Sequence, residues 1–226
     1  MKKLLLTCVC VMSLAFGLSG IAGANSITNG GFETGDFTGW TTSVPGSGVA
    51  MVQTTTASFN AIDNSLPDDY GPTEGTYFAE LIAKATMKQS LSWNSGDTIT
   101  FDWAFLAFDA LPFGNDKGVF RIKDTANADT TTFTLASVQS VGNNQDTGWQ
   151  SFSHIFTTAG SGEIVFRSLN VPDDDIFEFA SSLLVDNVNM EPVPEPATVA
   201  LLGIGILGLA GAETRRRRKT KTKMIS

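Results

Sequence analysis

The chain has 226 residues, 42% of them hydrophobic, and a formal net charge of -8 at pH 7. Residues 25–190 hold six Lys and Arg against twenty Asp and Glu, a net charge of −14 that the basic C-terminus partly offsets. A domain this acidic is a poor candidate for binding nucleic acid or an anionic membrane surface. We therefore expect no nucleic-acid partner.

The N-terminus predicts export. Two lysines and an apolar stretch at 4–18 precede a small-residue cleavage site that ends at Ala24, which is the layout of a secretory signal peptide. We predict a signal peptide at 1–24, with a retained membrane anchor as the alternative. Both cysteines, Cys8 and Cys10, lie inside it, so the mature protein has no thiol, disulfide or Cys-bound zinc.

The middle of the chain predicts β-structure. Residues 25–190 are rich in Gly, Thr, Ser, Phe and Asp, a mixture that disfavours helix and favours short strands. In 97–107, one face of a period-two pattern holds Ile99, Phe101, Trp103 and Phe105. The predicted strands are 48–54, 76–83, 87–92, 97–107, 117–124, 131–138, 148–158, 163–169 and 182–190. This number and spacing of strands indicates an all-β fold, an antiparallel sandwich or barrel.

The C-terminus changes character after residue 190. Residues 191–196 read as a proline-rich linker, and 197–212 are sixteen apolar residues without a charge, slightly fewer than the about 17–25 usual for a membrane-spanning helix. Residues 213–226 carry a dense basic cluster, which resists translocation and stays in the cytoplasm. We predict a transmembrane helix at 197–212, a cytoplasmic tail at 213–226, and the acidic domain at 25–190 on the outer side.

The same C-terminal residues resemble a known sorting signal. The tripeptide Pro194-Glu195-Pro196, the glycine-broken apolar segment, and a block of four arginines follow one another. That order resembles the PEP-CTERM signal of Gram-negative bacteria. The arginines are Arg215, Arg216, Arg217 and Arg218.

The resemblance implies a membrane exosortase as partner. This enzyme would recognise the Pro-Glu-Pro motif and remove the helix, after a transient stay at the inner membrane with the domain in the periplasm. The protein would then pass to the cell surface or extracellular matrix of bacteria that make exopolysaccharide. A simple C-terminal membrane anchor is the alternative.

The two ends of the domain resemble galactose-binding-like jelly rolls, including carbohydrate-binding modules. The matching stretches are "NGGFETGDFTGW" at 29–40 and "LLVDNVNM" at 183–190. The resemblance implies a β-sandwich with adjacent ends and a structural calcium, since calcium prefers carboxylate and carbonyl oxygens. The ligands would come from Glu33, Gly35 and Asp186; the alternative is that these residues hold no ion.

Sugar binding would need aromatic platforms or clefts with polar edges, because sugar faces stack on flat rings. Loop and strand-end positions suggest Tyr70, Trp93 and Phe113 for this role. His154 shares strand parity with two phenylalanines and reads as structural, and no hydrolase or nucleotide-binding motif occurs. We predict a non-catalytic surface or matrix protein associated with exopolysaccharide. The alternatives are a carbohydrate-active enzyme on the same fold and a structural adhesin without a small ligand.

Overall fold

The computed structural model describes residues 26–56, 70–108, 111, 114–171, 180–193 and 204–205. Within them lie eleven strands and a four-residue helix, α1 (Val138–Val141). The strands are β1 (Thr41–Ser43), β2 (Val49–Gln53), β3 (Phe78–Ile82), β4 (Thr86–Trp93), β5 (Thr98–Ala107), β6 (Lys117–Asp124), β7 (Asp129–Ser137), β8 (Gln145–Asp146), β9 (Gln150–Ile155), β10 (Gly160–Leu169) and β11 (Ser182–Glu191).

The strands form two antiparallel sheets. The five-stranded sheet has the order β1-β4-β10-β6-β7, and the six-stranded sheet has the order β2-β3-β11-β5-β8, with β9 also paired to β5. The last strand, β11, lies between β3 and β5, and the amide of Val188 on β11 donates to the carbonyl of Gly30 near the start of the domain. The two ends of the domain are therefore adjacent.

The core lies between the sheets and is rich in phenylalanine. Phe101 of β5 contacts Phe120 of β6, Phe166 of β10 and Phe152 of β9, with ring centroids 4.7–4.8 Å apart. These rings come from both sheets. They point into the space between the sheets, because every second residue of a strand points to the same face. Burial of such rings supplies much of the free energy that holds the sandwich together.

The predicted antiparallel β-sandwich is confirmed. All nine predicted strands occur in the structure, and their bounds differ by a few residues from the predicted ones. The prediction missed β1 and β8, of three and two residues, because a strand this short shows no alternation of apolar and polar residues.

Several predictions lie outside the described residues: the signal peptide at 1–24, the sorting residues Pro194, Glu195 and Pro196, and the arginine block. The predicted helix at 197–212 is described only at Ile204 and Gly205. Across the portion of the chain that the structure does describe, no helix is both long and apolar enough for a membrane span.

Candidate functional site

The outer face of the six-stranded sheet is half covered and half open. On the covered half, Tyr70, Phe78 and Trp149 pack together over Leu106 and Leu184. The Trp149 ring makes edge-to-face contacts with Tyr70 and Phe78, at centroid distances of 6.0 and 5.8 Å. The Trp149 indole also donates to the carbonyl of Gly71 at 3.0 Å. These contacts form a second, smaller apolar cluster on the far side of the sheet from the main core.

Two acids lie at the edges of this cluster. The Tyr70 hydroxyl donates to Asp146 at 2.6 Å, and burial, together with this acceptor, raises the Tyr70 pKa above its ordinary value. Glu80 is buried on β3 and accepts hydrogen bonds from the Thr56 hydroxyl, at 2.5 Å, and from the Gln53 amide. Each acid therefore has a hydrogen-bond donor, as a buried polar group requires.

The open half of the face is a polar groove of ≈ 310 Å³. The side chain of Ser151 on β9 donates to Asp102 on β5 at 2.7 Å, and Asn187 on β11 lies 3.4 Å from the other Asp102 oxygen. Thr100 and Ser153 line the same groove. Three neighbouring strands thus present hydroxyl, amide and carboxylate groups to solvent at one place. We call these residues the polar groove.

Asp186 lies fully buried at the edge of this face and ties the loop at 73–74 to the last strand. One of its oxygens accepts from the Thr73 amide (2.7 Å), the Thr73 hydroxyl (2.9 Å) and the Glu74 amide (3.2 Å). The other accepts from the Asn187 amide at 2.7 Å. Burial raises the pKa of Asp186, and these four donors oppose that rise.

Glu33 holds the same loop from its other end. One carboxylate oxygen of Glu33 accepts from the amides of Thr76 and Tyr77, at 2.9 and 3.0 Å. Gly75 between the two anchors has a φ of +71°, and a Cβ there would collide with the Glu33 carboxylate. Only glycine meets both demands at no cost. The start of the domain, the loop at 73–77 and the last strand are therefore joined by carboxylate–amide hydrogen bonds.

This arrangement bears on the predicted calcium site of Glu33, Gly35 and Asp186. Asp186 already accepts four hydrogen bonds, three on one oxygen and one on the other, so most of its acceptor capacity is in use. Calcium needs six to eight oxygens that face it, whereas amide N–H groups face these two carboxylates. Within the described residues no cluster of three or more His, Cys, Asp or Glu suits a metal. The donor set does not fit calcium as it stands, and calcium binding stays a prediction.

The aromatic residues predicted to contact sugar lie in different surroundings. Trp93 is 3% exposed and stacks on Phe156 in the main core, so it offers no ring face to a ligand. Tyr70 is 7% exposed and belongs to the covered half of the outer face. Phe113 lies outside the described residues. Trp93 and Tyr70 are buried because an aromatic side chain at a strand end packs inward where neighbouring apolar residues leave room for it.

The polar groove was not predicted from the sequence. Its signal was present, because the period-two pattern of 97–107 puts Thr100 and Asp102 opposite the core residues. The sequence pattern does not give the strand order, which brings Ser151 of β9 and Asn187 of β11 beside Asp102. Nothing in the spacing of residues along the chain reports which strands are neighbours.

His154 is packed against aromatic rings. Its ring lies 5.1 Å from that of Phe133 and 5.4 Å from that of Phe156. Partial burial lowers the His154 pKa below its ordinary value. The side chain shares the inward face of β9 with Phe152, away from the polar groove.

Comparison with curated proteins found no match. Among solved structures, a TmCBM61 complex with beta-1,4-galactotriose is 14% identical, with a TM-score of 0.44 over 76% of this chain and 100% of that one. The CBM22-1 xylan-binding domain from Paenibacillus barcinonensis Xyn10C is 13% identical, with a TM-score of 0.41 over 75% and 94%.

The enzymatically active domain of tailspike protein 4 from bacteriophage CBA120 is 14% identical, with a TM-score of 0.45 over 75% of this chain and 21% of that one.

The C-terminal residues give a different kind of match. A family model described as the PEP-CTERM protein-sorting motif matches residues 192–218. The match contains the Pro-Glu-Pro tripeptide, the apolar segment and all four arginines, and it confirms the resemblance found in the sequence. The chain therefore carries a PEP-CTERM sorting signal, the mark of an exported protein anchored transiently by its C-terminus before processing.

Proposed function

We propose that this protein is exported, processed at its C-terminus by an exosortase, and retained at the cell surface or in the extracellular matrix, where it binds polysaccharide without catalysis. The observation that carries the proposal is the sorting-motif match at 192–218. The motif follows a sandwich whose last strand, β11, ends at Glu191, directly before residue 192. A sorting signal at the end of a folded domain suits a protein whose work is done outside the cell.

The polar groove supports the binding part of the proposal. Sugar hydroxyls both donate and accept hydrogen bonds, and the groove offers partners of both kinds in Asp102, Ser151 and Asn187. Trp149 lies two residues before Ser151 on the same side of the sheet and is partly exposed. An aromatic ring about 7 Å along the strand from a hydrogen-bonding group suits a sugar ring that stacks and bonds at once.

The groove chemistry favours binding over hydrolysis. Glycoside hydrolysis commonly uses a pair of carboxylates on either side of the scissile bond. Asp102 is the one carboxylate among the described residues that line the groove. A single carboxylate held by a serine hydroxyl is well suited to orient sugar hydroxyls.

The sorting part is tested in the producing bacterium. We expect replacement of Pro194, Glu195 and Pro196 by Ala to leave the protein in the membrane fraction with its tail intact, because the recognition element is lost. The matched control replaces Lys219, Lys221 and Lys223, which lie beyond the match at 192–218, by Gln. Intact-mass measurement of the membrane and extracellular pools reports the processing. Equal processing of both variants would refute the proposal.

The binding part is tested by calorimetry against polysaccharide isolated from the producer. We expect Asp102→Asn to weaken binding roughly tenfold, since a charge-assisted hydrogen bond is lost. Asp129→Asn is the control, because it removes an equal charge from an exposed position on the other sheet. Equal affinities would exclude the groove, and release of reducing ends that Asp102→Asn abolishes would establish the enzyme alternative.

A further inference from the structure

The outer face of the five-stranded sheet gathers nearly all the positive charge of an acidic domain. Five of the six Lys and Arg between residues 25 and 190 fall on strands of this sheet, at alternate positions whose neighbours in sequence are core residues such as Phe120 and Phe166. They are Lys88 on β4, Lys117, Arg121 and Lys123 on β6, and Arg167 on β10. We call this set the basic face.

The strand register brings the charges of the basic face close together. Val165 pairs with both Lys88 and Arg121, and Arg167 pairs with Val119. Arg121 and Arg167 are therefore diagonal neighbours, at a separation of about 7–8 Å. Lys117, the first residue of β6, and Lys123, its last but one, lie about 20 Å apart at the usual rise per residue.

One acid partly neutralises the basic face. Glu163 lies 2.6 Å from the Lys88 ammonium and 3.6 Å from that of Lys123. It is the sole acidic residue of the sheet's strands that shares the parity of the basic residues. Among the described residues, neither Arg121 nor Arg167 has an ion pair. The face therefore keeps a clear excess of positive charge.

The two arginines have unmet hydrogen-bonding capacity. The Nε atoms of Arg121 and Arg167 are covered by protein and have no hydrogen-bond partner among the described residues. Val119 and Val165 pair with Arg167 and Arg121 and are 2% and 4% exposed, although they point away from the main core. Such burial is expected where arginine stems lie along a sheet. Both side chains are partly exposed, and a guanidinium always carries its charge and can bind a carboxylate or sulfate group in a fork.

Hydroxyl groups surround the charges. The exposed Thr130, Thr132 and Thr134 of β7 flank the β6 side. On the β4 side, two shallow grooves of ≈ 410 and ≈ 500 Å³ meet at Ser90 and Glu163. The described residues of the basic face and these grooves include no aromatic ring. A face of cations and hydroxyls without rings suits a ligand that is both anionic and hydroxyl-rich.

We propose that the basic face binds a linear acidic polysaccharide, with its carboxylate or sulfate groups held by Arg121 and Arg167. The net charge of −14 on residues 25–190 opposes approach to a polyanion as dense as nucleic acid or to an anionic lipid surface. A polysaccharide with one charge per sugar or fewer is repelled less. This site lies on the opposite sheet from the polar groove, so the inference does not rest on the proposed function.

The test measures binding to polygalacturonate, a linear uronate polymer, with a neutral galactan as control. The full chain is used with its tail charges removed, because the tail would itself bind a polyanion. The residues replaced by Gln in every sample are Arg215, Arg216, Arg217, Arg218, Lys219, Lys221 and Lys223. We expect binding to polygalacturonate that weakens as salt rises. The affinity for galactan should not change with salt or with substitution of Arg121 and Arg167.

Two variants of opposite sign make the test decisive. Arg121→Gln with Arg167→Gln should weaken binding roughly tenfold or more. Arg121→Lys with Arg167→Lys should weaken it less, because the charge is kept while the fork of donors is lost. Glu163→Gln should strengthen binding several-fold, because it frees Lys88 and Lys123, and a misfolded protein would not give this gain. Lys84→Gln, which removes a cation from outside the strands, should change affinity much less than the double Arg→Gln variant.

Other occupants of the face give different results. Absence of binding, or equal binding by all variants, would overturn the proposal. Sedimentation that shows salt-sensitive self-association through Arg121 and Arg167 would assign the face to a second copy of the chain instead. Binding to phosphatidylglycerol vesicles but not to polygalacturonate would assign it to a membrane.

Discussion

At the scale of single residues, the surroundings of His154 make stability depend on pH. The ring lies between Phe133 and Phe156, and burial lowers the His154 pKa from its ordinary value of 6.5. The unfolded chain therefore binds a proton at a higher pH than the folded one. The stability that this site contributes is complete above the ordinary pKa and is lost as the pH falls below it.

We expect urea unfolding to show a smaller free energy at about pH 5.5 than at about pH 7.5, and His154→Gln to reduce that loss. Asp186, whose pKa is raised, contributes with the opposite sign, because its stability is lost as the pH rises. It is present in both proteins, so the comparison cancels its effect. Identical losses in the two proteins would show that His154 does not cause the pH dependence of the free energy of unfolding.

Also at the scale of single residues, residue type alone was a poor guide to which side chains can contact a ligand. Trp93 and Tyr70 have the rings that sugar binding uses, but both are buried, and Tyr70 is further occupied by its hydrogen bond to Asp146. Asp102 and Ser151 have ordinary polar side chains and are the ones that line an open groove. Exposure, which decides what a side chain can bind, depends on the packing of distant segments.

At the scale of elements, β11 is held to the loop at 73–77 by Asp186. We expect Asp186→Asn to lower the free energy of unfolding by about 1–3 kcal/mol, because its new NH₂ group would face the amides of Thr73 and Glu74. Glu33→Gln is the matched control. It keeps the one oxygen that accepts from Thr76 and Tyr77 and should cost less.

Chemical unfolding of both variants, with calcium and with a chelator, checks this prediction and the calcium prediction together. Amide hydrogen bonds alone predict that calcium leaves the wild-type protein unchanged. A calcium-dependent increase in stability that Asp186→Asn abolishes would show instead that the loop rearranges to offer oxygens. An Asp186→Asn protein as stable as Glu33→Gln would contradict the role assigned to Asp186.

At the scale of the whole molecule, the uneven charge should make the domain sensitive to salt. With twenty acids against six bases in 25–190, repulsion among carboxylates opposes the folded state. The two ion pairs at Glu163 are partly exposed and contribute little against it. We expect the thermal midpoint to rise between about 20 mM and about 200 mM sodium chloride, as screening shortens the range of repulsion.

Scanning calorimetry measures this shift. A neutral sugar at the same osmolality is the control, since it stabilises proteins by exclusion from the surface and leaves charges unscreened. A midpoint that falls with salt would mean that attractive pairs outweigh the net repulsion.

The sequence by itself determined the class of fold and the sorting signal. The positions of the strands can be predicted from local sequence, because the period-two alternation of residues such as Ile99, Phe101 and Phe105 follows from backbone geometry alone. The sorting signal is likewise local, since its three parts follow one another within residues 192–218.

The tertiary structure decided where ligands have access. The polar groove joins Asp102, Ser151 and Asn187, and the basic face joins Arg121 to Arg167, across strands that are far apart in sequence. Alternation fixes which side of its own strand a residue occupies, but strand order and register fix which residues meet. Both candidate sites therefore arise from the pairing of strands, a long-range property that local pattern does not encode.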